Sequence, residues 1–247
     1  MIPAILGNKA RKSFWEDEVT GSLFSPLLYT DKSDTCQFLY EAFLAMLEKD
    51  SFMTPESFSM EFWPRLPAQF RGHSVEPDLL FHFSEAGTGK RWVVIVEVKW
   101  ESGQSGNDQL VRQWNAVNNK YGSYNTEISQ IYLVIECEQG ESDIQSSVDD
   151  AELKKTFSSV WNSWRKNLTV CDWHSFSRAI VKTKSGSEEI VLYATNFSET
   201  IGKLLGKVFS GIEIGGIETS VIPFKFQLCE FNSVSMMPEF RFQSGEE

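Results

Sequence analysis

Asp78, Glu97 and Lys99 are charged residues set into stretches of chain that are otherwise strongly apolar. From Trp92 to Trp100 the even positions are all apolar, while the odd positions begin with Val93 and Ile95 and then switch to Glu97 and Lys99. A strand apolar on both faces belongs in the middle of a sheet. Charges at one end of it cost desolvation energy unless they are paired or bind something. Taken alone, Glu97 and Lys99 read as an ion pair at a sheet rim. Asp78 changes that weighting. It follows Pro77 in the preceding apolar stretch, on the face shared with Glu76, Leu80 and His82, and a hairpin turning near Gly87 would bring it close to Glu97. Two carboxylates one strand apart repel each other in apolar surroundings, and a divalent cation relieves the repulsion. Hard oxygen ligands suit Mg2+ or Mn2+ rather than zinc.

The elements that must position these groups are legible in outline. Residues 34–49 predict a helix, with Cys36, Tyr40, Phe43, Leu44 and Leu47 at helical spacing and Asp31, Ser33 or Asp34 as its cap. Strands are expected at 57–63, 75–83 and 92–100, with a hairpin turn over 85–90 between the last two. A Gly/Ser-rich loop over 102–107 leads into a helix from Asp108 to about Tyr121, whose inward face is Leu110, Trp114, Val117 and Tyr121. Residues 130–136 make a fourth strand. A helix between the third and fourth strands implies a parallel crossover, hence a mixed sheet flanked by helices. Beyond this unit, the acidic stretch 141–152 reads as an exposed linker or loop. A helix is expected near 151–166, a hairpin over 178–195 turning at Ser185-Gly186-Ser187, a helix over about 198–210 and a strand near 219–230. The domain expectation is a core over 1–140 and an α+β extension or small lobe over 141–247.

Glu76-Pro77-Asp78, an intervening hairpin and Glu97-Val98-Lys99 resemble the PD-(D/E)xK nuclease superfamily, which includes many restriction enzymes. The helix–three strands–helix–strand order over residues 34–137 resembles its common core. The resemblance implies a restriction-endonuclease-like α/β fold in which Asp78 and Glu97 ligate Mg2+ or Mn2+, helped by the Val98 carbonyl. Lys99 would then orient the attacking water and stabilise charge on the phosphate. It also implies an acidic residue on the first helix near the metal, for which Glu41 is the candidate, beside the bland reading of a solvated helix flank. A Gln on the second helix would hold substrate or water, and Gln113 or Gln109 could serve; a polar flank on an amphipathic helix is the alternative.

Composition sets limits on these readings. The chain has 247 residues, 41% hydrophobic and 23% charged, with a formal net charge of −11. That balance fits a globular protein and argues against one that coats nucleic acid nonspecifically. Cys36, Cys137, Cys171 and Cys229 are widely spaced and predict buried reduced thiols, not a zinc site or a disulfide framework. No apolar run reaches the length of a membrane span, and the cytoplasm is the expected location. Residues 86–91 lack phosphate-loop spacing, residues 102–106 lack the offsets of a nucleophile elbow, and His73, His82 and His174 are too scattered for a histidine metal site. Arg71, His73, Lys90, Arg91, Arg112 and Lys120 could supply a basic rim for a phosphate backbone, and Lys182, Lys184, Lys203 and Lys207 a second strip; solvated surface charge is the usual role of such residues.

The expectation is therefore a Mg2+-dependent nuclease acting on nucleic acid, DNA foremost, in a defence, mobile-element or repair setting. Double-strand cleavage would need a dimer or repeated nicking. The competing expectation is a non-catalytic nuclease-fold module that binds nucleic acid or protein within a larger complex.

Overall fold

The computed structural model describes residues 16–68, 74–100, 106–183 and 186–205. β1 (Ser57–Phe62), β2 (Leu79–Ser84) and β3 (Arg91–Val98) form an antiparallel meander. β4 (Thr126–Val134) and β5 (Leu168–Asp172) extend it in parallel, giving a five-stranded mixed sheet of order β1-β2-β3-β4-β5. The protein is thus α/β, and the alternating side chains of its central strands build a core on each face.

One core packs α1 (Glu16–Phe24), α2 (Lys32–Met46), α7 (Trp173–Lys182) and α8 (Glu188–Leu204) against Leu79, Phe81, Phe83, Trp92, Val94, Val96 and Val98. The opposite core packs α3 (Gln109–Tyr121), α5 (Ala151–Thr156) and α6 (Trp161–Asn167) against Leu80, Val93, Ile95, Ile128 and Tyr132. β3 is buried along its length apart from Arg91, as a strand covered by helices on both sides must be. Asp31 caps α2 by accepting from Ser33 N–H at 2.8 Å and Asp34 N–H at 3.1 Å. The β2–β3 hairpin turns through Gly87 and Gly89, both at positive φ, where a side chain would be strained.

Several sequence expectations need correction. The stretch 141–152, read as a linker, is mostly α4 (Cys137–Asp149), followed at once by α5. The hairpin expected over 178–195 is instead α7 and α8 with Gly186 between them. Its turn was legible, but its flanks bury Ile180, Ile190, Tyr193 and Phe197 at helical spacing. The helix expected near 151–166 is broken into α5 and α6, and that expected over 198–210 begins ten residues earlier, at Glu188. The second strand starts at Leu79 and not at 75: before it the pairing reduces to the Trp63 N–H donating to the Asp78 carbonyl at 3.0 Å and an isolated Leu66–Val75 bridge. β5, which the sequence did not suggest, comes from the segment after residue 140 and joins the same sheet. The strand expected near 219–230, together with Arg71, His73, Lys184, Lys207, Cys229 and most of the loop over 102–107, lies outside the described residues.

Candidate active site

The β2–β3 register ends at Leu79↔Val96, so one further step sets Asp78 across from Glu97. Strand alternation puts both on the face of Leu80 and Ile95, beneath the N-terminal half of α3. Asp78 is 8% exposed, Glu97 1% and Lys99 6%. At those exposures each charge must be met by a partner, since an unpaired buried ion is prohibitively costly.

The partners are specific. Asp78 Oδ2 accepts the Val98 N–H at 2.7 Å, leaving Oδ1 without a protein donor among the described residues. Glu97 Oε1 accepts from Gln109 Nε2 at 2.5 Å and lies 2.8 Å from Lys99 Nζ, while Oε2 accepts from Gln113 Nε2 at 2.6 Å. The Gln113 amide is itself oriented: Gln130 Nε2 donates to its Oε1 at 3.3 Å, and Trp164 Nε1 donates to Gln130 Oε1 at 2.9 Å. A buried relay therefore runs from α6 through β4 and α3 to Glu97, and it fixes which way each amide points.

Glu16, in the first turn of α1, completes the cluster. Its Oε1 accepts from Lys99 Nζ at 3.0 Å and its Oε2 from the Trp100 N–H at 3.1 Å. Sequence reasoning missed it, because nothing local links a residue at the start of α1 to a strand 83 positions later. Glu41, the acidic residue expected here, is not brought into the cluster; on α2 it accepts from Gln37 Nε2 at 2.6 Å. Gln113 and Gln109 are brought in, as positioning residues on Glu97.

The electrostatics follow from three carboxyls facing one ammonium. Burial first, and the charge of Glu97 second, push the Asp78 carboxyl up to about 8, against the lowering pull of the Val98 N–H and Lys99. Burial likewise raises Glu97, although Lys99 and Gln113 oppose it. Burial alone would lower Lys99, but Glu97 and Glu16 outweigh it and hold the ammonium above its usual range. Among the described residues the carboxyls of this cluster outnumber its cations, a surplus that protons or a cation would relieve.

A hard divalent cation fits this surplus. Asp78 Oδ1 and the second lone pair of Glu97 Oε2 are the oxygens that would hold it, since Glu97 Oε1 already meets both Gln109 and Lys99. Among the described residues, no three His, Cys, Asp or Glu side chains are grouped closely enough to cage a metal by themselves.

No helix among the described residues is long and apolar enough to cross a membrane. Comparison with family models, with curated proteins and with solved structures finds no match for this chain.

Proposed function

We propose that the protein is a Mg2+- or Mn2+-dependent nuclease of PD-(D/E)xK type that hydrolyses phosphodiester bonds in DNA. The observation that carries this reading is the buried convergence of Asp78, Glu97 and Lys99 at the end of β3, with one Asp78 oxygen left open and negative charge in surplus. Hydrolysis needs a nucleophile formed from water, neutralisation of charge building on the phosphoryl oxygens, and protonation of the leaving oxygen. A bound divalent ion would supply the activated water and part of the neutralisation.

The chain's own residues supply the positioning and the remaining neutralisation, and water would give the leaving oxygen its proton. Lys99, held protonated by two glutamates, suits the stabilisation of developing phosphoryl charge and not the role of general base. Glu97 is held rigidly by Gln109, Gln113 and Lys99, so it meets a cation without reorganising. Asp78 is anchored through one oxygen, which aims the other. Glu16 occupies Lys99 Nζ and the Trp100 N–H, two donors suited to a phosphate oxygen, so substrate would compete with it for them.

The completeness of hydrogen bonding around Glu97 also suits a second reading, a nuclease-fold module that binds nucleic acid or protein without cutting. One experiment separates the two: incubation of plasmid and single-stranded DNA with Mg2+, Mn2+ or EDTA, for wild type, Asp78→Ala and Lys99→Ala. The nuclease reading expects metal-dependent cleavage that falls by ~10²-fold or more in either variant, with circular dichroism unchanged. Folded wild type that leaves both DNAs intact under every metal would sink it in favour of the binding module.

A further inference from the structure

At the far end of β2 from Asp78, the same sheet face carries a second polar array. The register aligns Ser57, Ser84 and Arg91 across β1, β2 and β3, and aligns Ser59 with His82 on the same two strands β1 and β2. Neighbouring strands are ~4.8 Å apart, so these groups lie within reach of one small ligand. They line an open cavity of about 330 Å3, walled by Tyr121 at the C-terminal end of α3. The opposite face of the same strands buries Phe83 and Trp92 in the aromatic core, so the polarity belongs to one side only.

The donors left in the cavity are the Arg91 guanidinium and a serine hydroxyl. His82 Nε2 and the Tyr121 hydroxyl are both hydrogen-bonded to Glu61 Oε1, at 2.7 and 3.3 Å, so neither is the group that would meet a ligand first. The Ser57 and Ser84 hydroxyls bond each other, and one of the two protons in such a pair remains free to donate. Arg91 is exposed and has no ion-pair partner among the described residues, in a chain whose net charge is −11. An unpaired guanidinium beside a row of hydroxyls matches the fork geometry and donor set of a phosphate oxyanion.

We infer that Arg91, with Ser84 and its neighbouring hydroxyls, binds a backbone phosphate of the nucleic acid at a distance from the cut. The choice of ligand rests on the nuclease reading, and the spacing of the two places agrees with it. The chain runs extended from Asp78 along β2 to Ser84, a distance of about 20 Å, or roughly six base pairs at ~3.4 Å each. The site holds the strand in register and carries no base recognition, because phosphate contacts position the polymer without reading it.

The test measures binding without cleavage. The full-length wild type, Arg91→Gln and Ser84→Ala are titrated against a fluorescent duplex of about 30 base pairs in EDTA, from about 50 to about 200 mM salt, with inorganic phosphate titrated separately. The expected result is a roughly 5–10-fold loss of duplex affinity in Arg91→Gln, with a salt slope shallower by about one, and a smaller loss in Ser84→Ala. Unchanged affinity and slope in Arg91→Gln, in a protein that still cuts DNA with Mg2+, would overturn this inference alone. Phosphate binding lost in Arg91→Gln with duplex binding unchanged would reassign the cavity to a small phosphate compound and overturn the backbone role. Wild type that neither binds the duplex nor cuts it would overturn the nuclease reading and this inference together.

Discussion

Asp78 is the residue on which the chemistry of the cluster can be read without substrate. Its folded-state pKa of about 8 lies far above the ordinary aspartate value, so the folded chain binds this proton more tightly than the unfolded chain does. Stability must then fall as pH rises from about 4 to about 8, the reverse of the usual behaviour of a paired carboxylate. Glu97, raised by the same burial, adds to the slope in the same direction. A tenfold difference in proton affinity between the folded and unfolded chain is worth ~1.4 kcal/mol, and a chain of this size moves ~2–4 °C in Tm per kcal/mol. Melts in EDTA at mildly acidic and mildly alkaline pH should therefore show wild type losing several degrees at the higher pH. Asp78→Asn should lose much less, because its neutral amide carries no titrating proton. Added Mg2+ should restore wild type at the higher pH and do little for the variant. Identical pH slopes in the two proteins would mean that the site does not crowd its carboxylates as described.

At the scale of elements, what the sequence revealed depended on how each segment is buried. β3 was legible because both of its faces are apolar, so Glu97 and Lys99 stood out against it. α2 and α3 were legible because each presents a stripe of large side chains to the sheet. α4 was not, since within it only Gly140 and Ser147 are buried and small residues leave no stripe to recognise. Its packing is nonetheless close: a Cβ on Gly140 would lie 2.7 Å from Val170 Cγ1 and 3.0 Å from Val134 Cγ2. Gly140→Ala should therefore destabilise the fold by ~1–3 kcal/mol, the cost of overpacking, despite alanine's better helix propensity. Denaturant titration measures it directly. A neutral or stabilising result would restore the reading of this segment as a loosely held linker. Glu16 was hidden for a different reason: its partners are tertiary, and the acidic first turn of α1 looks like ordinary helix-dipole chemistry.

At the scale of the whole molecule, each chain carries one Asp78–Glu97–Lys99 cluster on one end of one sheet, and on the proposed nuclease reading a single such site would sever one strand per encounter. The net charge of −11 also opposes approach to a polyanion. If the proposed substrate is right, association would depend on local contacts acting within the ~10 Å screening length at about 0.1 M salt. A chain acting alone would release nicked DNA before meeting the second strand at the same place. Supercoiled plasmid should accordingly pass first to nicked circles, with linear molecules appearing only after a lag and at a rate first order in protein. Two chains cutting together would give linear product from the outset, rising with the square of protein concentration. Time courses over a wide range of protein concentration distinguish the two, and second-order linearisation without a nicked intermediate would require paired sites and therefore a dimer on the DNA.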